Sequence, residues 1–594
     1  MLDPVVLFTL LILPLRAIAA DVIPVTVPST PSSTHAVQSN FLGISFELSF
    51  VNEYFGDDTS TIPPTFENYL TALRSRTGKQ PLRLRIGGNS MDDSVYVPTQ
   101  TTPMIQAIPG AHADDQPVNF GPVLWDVLDK VASNVGGASY LIGCTFSLAI
   151  FIRNFPLTRP TDSLGAVADK LGDNLDGLLL GNEPDIYTAH GYRPNIKNYT
   201  TALYIDEFKT AADRLTNTSD GNILDKHELV GPTICCAWNL DALLDDGYTS
   251  SFGSFLKYIS LQHYPQNNCN PGVFDFQLPY YVQHANVVTL GAWQASGINK
   301  ILSNPNSQPL ILSEFNSAAC GGIAGISDTF AVGSLWTIDY SLQLASVGYS
   351  AAYIHTRERG VTYNLFTPPD GPNGGPGAWT TNPPYYGLLV TSEALRSENG
   401  SIVVDLDISG SKSSTNVAVS GYAVYDAINK NVQQLVFFNY ANVSSSAGSS
   451  QSFSVPSGTF AKGEGNVQVK YLVGASMTEK VNIGWGGQTL ATAGDGNLVA
   501  ANSTWVVPNA NVDCSNGCTI NVPAPGMAVV FAAVPTKSNA NSTANGGTTG
   551  NNSSGAVKPT GGQTRLAFDY TNALSLVIVT VLAITVADSF GSLF

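Results

Sequence analysis

Two segments of this 594-residue chain decide its fold class: Gly177-Leu178-Leu179-Leu180-Gly181-Asn182-Glu183-Pro184 and Leu310-Ile311-Leu312-Ser313-Glu314-Phe315-Asn316. In each segment, an apolar run of strand length leads to a glutamate. Nearly continuous apolar runs of this length are typical of a parallel sheet whose two faces are both covered. Because the carboxyl ends of parallel barrel strands meet at one rim, we expect both glutamates at the same rim.

Six similar runs extend this pattern between residues 40 and 360. The eight predicted strands cover residues 41–47, 82–88, 139–146, 177–181, 228–233, 258–263, 309–313 and 350–355. The segments between them have crossover length, and residues 118–134 and 199–215 show helical spacing of apolar residues. The pattern predicts an α/β fold, a (β/α)8 TIM barrel over residues 39–388.

After residue 388 the pattern changes to short alternating runs separated by Gly, Ser and Asn clusters. These runs cover residues 401–407, 417–425, 432–440, 466–473 and 527–534. Alternation with frequent turns predicts an all-β sandwich over residues 389–535. Residues 21–38 contain a short strand that we expect to join this sandwich.

Both ends of the chain resemble processing signals. Residues 1–20 combine a short apolar run with small residues and are predicted to be a signal peptide. Residues 536–565 form a predicted Ser/Thr/Asn/Gly-rich stalk, and residues 566–594 have the polar spacer and short apolar tail of a GPI-anchor signal. A short membrane span is the alternative interpretation of the tail.

The composition agrees with an extracellular address. Only 12% of the residues are charged, about half of the usual ~25%. Asn-x-Ser/Thr triplets begin at Asn198, Asn217, Asn399, Asn442, Asn502, Asn541, Asn551 and Asn552. We therefore expect a secreted glycoprotein at the cell surface or cell wall, with a lipid anchor as its membrane attachment. The net charge of −17 and the lack of a basic patch argue against a nucleic-acid partner.

The seven cysteines predict disulfides rather than a metal site. No zinc-type spacing and no His-Glu-x-x-His motif occur, so neither a metal nor another cofactor is expected. Cys514 and Cys518 are expected to close a small loop. Cys269 could pair with Cys235 or Cys236, and the odd count leaves one cysteine over.

Glu183 and Glu314 are the predicted catalytic pair. Glycoside hydrolysis needs one carboxyl group that protonates the leaving oxygen and a second that acts on the anomeric carbon. Two close carboxyl groups do not both ionise easily, so one keeps its proton and serves as the acid. We assign Glu183 as general acid/base and Glu314 as nucleophile, with Tyr264 as hydrogen-bond donor to the nucleophile. Asn182 is predicted to hold the sugar 2-hydroxyl; a strand-end cap is the alternative role.

These residues resemble the retaining (β/α)8 glycosidase clan and, within it, glycoside hydrolase family 79, the β-glucuronidase and heparanase group, particularly its fungal members. The resemblance extends over residues 22–535. It rests on five motifs: Ile44-Ser45-Phe46-Glu47, Leu84-Arg85-Ile86-Gly87-Gly88-Asn89, Gly181-Asn182-Glu183-Pro184-Asp185, Gln262-His263-Tyr264, and Ser313-Glu314-Phe315-Asn316-Ser317 followed by Cys320-Gly321-Gly322.

The resemblance implies an exo-acting enzyme that removes β-linked glucuronic acid, including 4-O-methylated residues, from glycans. It implies sugar-hydroxyl contacts at Glu47 and Asn89. It also implies that the backbone of Gly321 and Gly322, with Tyr363, holds the uronate carboxylate. Backbone N–H groups and a phenol can bind an anion in this way. Arg357 and Arg359 are rival partners for that carboxylate, although the sequence favours the alternative that they are exposed loop charges.

Two other functions stay open at this stage. One is a neutral-sugar glycosidase of the same clan, of the β-glucosidase or arabinofuranosidase type. The other is a non-catalytic cell-surface carbohydrate-binding protein. Heparanase-type endo cleavage is not expected, because the sequence shows no excised linker and no strongly basic groove.

Overall fold

The computed structural model describes residues 22–109, 116–144, 167–216, 221–370, 378–442, 450–491, 493–503 and 505–532. All of them belong to one compact unit, Met1–Ser538. The predicted signal peptide, stalk and anchor signal lie outside the described residues.

Eight parallel strands close into a barrel in chain order, which confirms the predicted fold class. Barrel strands one to eight are Leu42–Glu47, Leu82–Gly87, Ala138–Cys144, Leu175–Leu180, Leu229–Ile234, Leu256–His263, Leu310–Phe315 and Ala351–Thr356. Strand eight pairs with strand one, from Ala352 opposite Leu42 to Thr356 opposite Phe46, and this pairing closes the ring. Most strand residues are buried, as expected for a sheet between a filled interior and a helical layer.

Helices connect and surround the strands. The α-helices are Val51–Phe55, Pro64–Arg74, Pro122–Val135, Thr201–Leu215, Leu240–Asp245, Tyr248–Phe252, Leu278–Tyr281, His284–Gly291, Ala295–Ser303, Thr337–Val347 and Pro383–Ala394. A π-helix covers Phe330–Trp336, and 3-10 turns cover Leu48–Phe50, Asn89–Asp92, Gly172–Asn174, Pro184–Ile186, Ile223–Lys226 and Ile408–Gly410. Within the described residues, no helix combines the length and the apolar character that crossing a bilayer requires.

The helix predicted over residues 118–134 begins later than expected. Val118–Phe120 is a strand that pairs with Val95–Tyr96 and with Ile105–Ala107. The helix begins at Pro122, because proline fits the first helical turn, where no backbone N–H is needed. It ends where Gly136 takes a left-handed conformation (φ +85°).

Two antiparallel sheets follow the barrel. The larger contains Ser401–Asp405, Val419–Asp426, Val432–Asn439, Asn466–Gly474, Ile483–Trp485, Gln488–Thr489, Val499–Ala500, Ala510–Asp513 and Gly526–Phe531. In the smaller sheet, Gln451–Val455 pairs with Cys518–Val522 and, in parallel, with Ile23–Pro24 near the chain's beginning. The rings of Phe437 and Phe453 stack between the two sheets with centroids 4.7 Å apart. The smallest sheet in the described residues joins Phe366–Thr367 to Thr380–Thr381.

A buried charged cluster joins the barrel helices to the first strand of the larger sheet. His284 is fully buried; its Nδ1 lies 3.0 Å from Asp339 and its Nε2 3.0 Å from Asp405. Tyr422 and Tyr440 each donate a 2.6 Å hydrogen bond to Asp339. Burial alone would lower the pKa of His284, but the two carboxylates outweigh it and raise that pKa to about 10. The imidazolium therefore offsets two buried negative charges.

Replacing this cation is expected to destabilise the fold. In His284→Gln the two buried carboxylates lose their cation, and the free energy of unfolding should fall by about 3–5 kcal/mol. The folded pKa lies above the unfolded value of ~6.5, so the stabilisation is complete below about pH 6.5 and disappears as the pH rises towards 10. Urea unfolding at several pH values measures this difference. His190→Gln, at an exposed histidine, is the control. A difference that stays constant between pH 6 and pH 10 would contradict the charged cluster.

Candidate active site

Glu183 and Glu314 both lie at the carboxyl-terminal mouth of the barrel. Strand four ends at Leu180, and Glu183 follows in a left-handed backbone conformation (φ +49°, ψ +56°). Glu314 is the fifth residue of strand seven. The two residues are 8% and 5% exposed, so each carboxyl group is largely removed from bulk water.

Arg85 connects four barrel strands beneath these carboxyl groups. Its side chain is completely buried and forms an ion pair with Glu314. Its Nη1 also donates to Ser45 Oγ (3.0 Å), and its Nη2 donates to Asn182 Oδ1 (2.9 Å). These partners come from strand seven, from strand one and from the segment after strand four, while Arg85 itself is in strand two. One cation therefore fixes the relative positions of all four.

Glu314 has a second donor on its other oxygen. Tyr264 Oη donates to Glu314 Oε1 at 2.7 Å. Burial, and then the charge of Glu314, raise the pKa of Tyr264 well above its usual value, so the phenol keeps the proton that it donates. His355 Nδ1 lies 3.9 Å from Glu314 Oε2. An arginine and a phenol therefore fix the position of the Glu314 carboxyl group from two sides.

Glu183 is in the opposite electrostatic situation. Burial raises its pKa well above the usual range, and the charges of Glu314 and Asp185 raise it further. Arg85 opposes this shift, but its effect is smaller than these three. The raised pKa favours the protonated form of Glu183, whereas Glu314 is paired with Arg85 and Tyr264. Two carboxyl groups in such different environments are the arrangement that acid-and-nucleophile chemistry requires.

Two aspartates hold the segment that contains Glu183. Asp92 Oδ2 accepts hydrogen bonds from the backbone N–H of Asn182 and from Tyr187 Oη, both at 3.0 Å. Asp185 accepts from the backbone N–H groups of residues 235–238, which follow strand five. These contacts offset the cost of the left-handed conformation at Glu183, which is unusual for a residue with a side chain.

Hydrogen bonds to three neighbouring side chains hold the side-chain amide of Asn182. Its Oδ1 accepts from Arg85 and from Gln262 Nε2 (2.8 Å), and its Nδ2 donates to Asn89 Oδ1 (3.0 Å). The amide orientation is therefore fixed. The amide has a second N–H on Nδ2, and a sugar hydroxyl is a suitable acceptor for it.

Glu47 ends strand one in a fixed and ionised state. Burial alone would raise its pKa, but the hydrogen bond and charge of His355, with smaller effects from Arg357 and Ser90, lower that pKa to about 2. The backbone N–H of Ser90 donates to Glu47 Oε1 at 3.1 Å. Gly88 (φ +88°) lies directly against this carboxylate, and a Cβ atom there would be 2.1 Å from Glu47 Oε2.

The predicted uronate-binding residues lie on the loops after strands seven and eight. Gly321 and Gly322 both have left-handed backbones (φ +87° and +76°), and Tyr363 is 1% exposed. Arg357 lies near Tyr363 and Glu47. Burial would lower the pKa of Arg357, but these two neighbours raise it. Arg359 points elsewhere, since its Nη1 donates to Pro369 O (2.7 Å) and its Nε lies 3.3 Å from Asp370.

The disulfides differ from the predicted pairing. Cys269 bonds to Cys320, and Cys235 bonds to its neighbour Cys236, so neither of the two pairings considered for Cys269 occurs. The reason is that the loops after strands six and seven run side by side: Asn268 N donates to Ala319 O at 3.1 Å. In the sheet region, Cys514 bonds to Cys518. Cys144, at the end of barrel strand three, has a free thiol.

One group of potential metal ligands occurs among the described residues. A Glu183 carboxylate oxygen and the Sγ atoms of Cys235 and Cys236 all lie within 4.8 Å of one another. Because the two sulfurs are bonded to each other, neither is a thiolate, and thiolates are the form that binds metals.

Several residues of this site were not predicted from the sequence. They are Arg85, Asp92, Asp185 and the Cys235–Cys236 disulfide. Arg85 had a detectable signal, because Arg83 and Arg85 are two cations within the strand Leu82–Gly87, and a buried cation requires a partner. Asp185, and Asp92 in part, bind backbone N–H groups, which no residue type reveals.

The close approach of Gly88 to Glu47 gives a stability prediction. Gly88→Ala should destabilise the protein by about 1–3 kcal/mol more than Gly78→Ala, because its methyl group displaces a buried carboxylate. Gly78 is the matched control, since it also has a positive φ (+61°) but has open space around its Cα. Urea unfolding of the two variants measures the difference. Equal losses of stability in the two variants would mean that the structure relieves the contact between the added methyl group and Glu47 at no cost in free energy.

The sequence matches a family model over part of its length and is similar to a known protein. Residues 421–529 match the model of the glycosyl hydrolase family 79 C-terminal beta domain. A β-glucuronidase from Neurospora crassa is 24% identical over 392 residues, which cover 62% of this chain and 65% of that protein, slightly less than two thirds of its length.

The solved structures support the same fold. A 4-O-α-L-rhamnosyl-β-D-glucuronidase from Fusarium oxysporum superimposes with a TM-score of 0.66 at 21% identity, covering 86% of this chain and all of that one. A family 51 α-L-arabinofuranosidase from Bifidobacterium longum superimposes with a TM-score of 0.54 at 11% identity, covering 86% of this chain and all of the arabinofuranosidase chain. The chain therefore has the barrel-and-sheet architecture of these solved structures, and its residues 421–529 are similar to the C-terminal beta domain of glycosyl hydrolase family 79.

Proposed function

We propose that this protein is a retaining exo-β-glucuronidase that hydrolyses terminal β-linked glucuronic acid, with or without a 4-O-methyl group, from glycans. The observation that carries the proposal is the electrostatic difference between its two carboxyl groups. Burial and neighbouring carboxylates raise the pKa of Glu183, whereas Glu314 is paired with Arg85 and Tyr264. The named activity of the N. crassa and F. oxysporum relatives supports the glucuronide as substrate.

In the proposed mechanism the reaction has two displacements. Glu314 attacks the anomeric carbon while Glu183 donates its proton to the glycosidic oxygen, so the C–O bond to the aglycone breaks and a glucuronyl ester forms on Glu314. Glu183, now a carboxylate, takes a proton from water, and the resulting oxygen nucleophile cleaves the ester. The departure of Glu314 returns the configuration to β. Asn182, with its amide fixed by Arg85 and Gln262, is placed to hold the 2-hydroxyl.

The glycone side of the site is proposed to consist of Glu47 and Asn89 for the sugar hydroxyls and of Gly321, Gly322 and Tyr363 for the carboxylate. Arg357 is the rival carboxylate partner that the contacts favour over Arg359. It lies among Tyr363, Glu47 and Glu358, whereas Arg359 is engaged by Pro369 and Asp370.

An extracellular address, with a lipid anchor as the membrane attachment, belongs to the same proposal. Disulfides persist in oxidising compartments and are rare in the cytosol. Three disulfides in the described residues support secretion, as do the Asn-x-Ser/Thr triplets of the sequence.

The catalytic assignment predicts a leaving-group-dependent loss in Glu183→Ala. On an alkyl β-glucuronide, whose leaving group needs protonation, kcat/KM should fall by about 10²–10⁴-fold. On an aryl glucuronide with an acidic phenol the first step should be nearly unaffected. Azide should restore turnover by attacking the intermediate, and the product should be β-glucuronyl azide. Kinetics and NMR of the product measure these outcomes.

Two results would contradict the assignment. One is equal loss on alkyl and aryl substrates without rescue by azide. The other is failure of a 2-fluoro-glucuronyl fluoride to label Glu314 in a protein that still binds glucuronic acid, which would favour a non-catalytic carbohydrate-binding protein. Faster hydrolysis of aryl β-glucosides or arabinofuranosides than of aryl β-glucuronides would favour the neutral-sugar alternative.

Variants of Arg357 and Arg359 test whether the site binds the carboxylate of a uronate. Arg357→Gln should lower kcat/KM for an aryl glucuronide by about 10–100-fold, the value of a charge-assisted hydrogen bond. It should change kcat/KM for the matched glucoside much less, because the glucoside has no carboxylate. Arg359→Gln is the control and should affect neither substrate. If Arg357→Gln also affects neither, Gly321, Gly322 and Tyr363 are left as the carboxylate site.

A further inference from the structure

The disulfide between Cys235 and Cys236 lies at the end of strand five, beside the proposed acid. Strand five ends at Ile234, so the two cysteines are the first residues of the loop at the barrel mouth. Cys235 is buried, whereas Cys236 and the following Ala237 are exposed at this mouth. Both sulfur atoms lie within 4.8 Å of a Glu183 carboxylate oxygen.

This position is on the leaving-group side of the site. A general acid must come within about 2.6–3.2 Å of the glycosidic oxygen that it protonates. The first aglycone carbon is bonded to that oxygen and is therefore within reach of sulfur atoms located next to the same carboxyl group. Apart from Asn182 after strand four, the residues proposed for the glycone lie at the end of strand one, just after strand two and on the loops after strands seven and eight. In a ring of eight strands, strand five stands opposite strand one.

The loop that carries the disulfide is firmly held. Asp185 accepts hydrogen bonds from the backbone N–H of Cys236 and of Ala237, both at 2.7 Å. Thr233 Oγ1 donates to Gly181 O at 2.9 Å, which ties the end of strand five to the end of strand four. Trp238, half-buried, packs against Tyr199 and Tyr204 with ring centroids 5.6 and 5.7 Å away. The bonded sulfurs therefore form a rigid surface.

We propose that the Cys235–Cys236 disulfide is the contact surface of the leaving-group subsite and selects aglycones that present an apolar face. This inference rests on the proposed function, since it takes Glu183 as the acid. Bonded sulfurs have no hydrogen to donate, are polarisable and make favourable contacts with rings. The chemical class is a C–H-rich or aromatic face next to the glycosidic oxygen, as in a second sugar ring approached from its apolar side.

The test compares two alkyl glucuronides whose leaving groups have similar basicity. Methyl β-glucuronide has no ring to place on the disulfide, and cyclohexylmethyl β-glucuronide has one. In Cys235→Ala/Cys236→Ala, the kcat/KM ratio of cyclohexylmethyl to methyl substrate should fall by about two- to tenfold, mainly through KM. Inhibition by free glucuronic acid should not change. Cys514→Ala/Cys518→Ala removes another short-range disulfide and should leave the ratio unchanged.

The other outcomes overturn either the subsite proposal or the uronate assignment. If both substrates lose activity and methyl glucuronide loses as much or more, the disulfide acts by positioning Glu183 and not by contact. If the ratio is unchanged in a folded variant, the subsite lies elsewhere. If the wild-type protein hydrolyses glucosides but not glucuronides, the uronate assignment fails, and the same ratio measured on the two alkyl glucosides still decides the subsite.

A second measurement uses the wild-type protein and does not require the double variant. Mild phosphine reduction of the wild-type protein, followed by iodoacetamide, should place an amide group on the exposed Cys236, and peptide mass spectrometry locates it. The modified protein should lose turnover of the cyclohexylmethyl substrate by more than tenfold and retain inhibition by glucuronic acid. Loss of glucuronic acid inhibition would overturn the proposal, because it would place the disulfide on the glycone side.

Discussion

The ion pair between Arg85 and Glu314 is the interaction on which the site depends. The Arg85 side chain is fully buried, so protein groups rather than bulk water must accept its hydrogen bonds. These acceptors are Glu314, Asn182 and Ser45. A buried carboxylate is costly without a paired cation. Arg85 thus has two roles: it supplies the cation that pairs with Glu314, and it ties together the strands and the segment from which its partners come.

Around this pair the protein uses carboxylates as structural anchors. Asp92 and Asp185 bind backbone N–H groups and hold the left-handed turn at Glu183, and Glu47 binds Ser90 in the space left by Gly88. The same negative charges have a chemical effect. After burial and Glu314, the charges of Asp185 and, more weakly, of Glu47 raise the pKa of Glu183, so an aspartate that positions the acid also favours its protonated form. Positioning and acidity therefore arise from one set of contacts.

The sheets beyond the barrel contribute through the buried cluster of His284, Asp339 and Asp405. A histidinium between two aspartates gives the joint between a barrel helix and a sheet strand both a fixed geometry and a charge balance. A purely apolar contact would tolerate sliding, whereas hydrogen bonds at both imidazole nitrogens do not. The loops at the barrel mouth contain positive-φ glycines such as Gly88, Gly321 and Gly322, and two disulfides.

The sequence by itself determined the strand order, the change from barrel to sheets and the strand ends at which Glu183 and Glu314 lie. It could do so because burial on both faces of a parallel strand leaves an apolar run that is visible in one dimension. It did not determine the Cys269–Cys320 and Cys235–Cys236 pairing, the strand at Val118–Phe120, or the roles of Arg85 and Asp185. Those depend on which loops become neighbours around a closed ring, and on backbone N–H groups that every residue except proline carries. Only the tertiary structure brings such partners together.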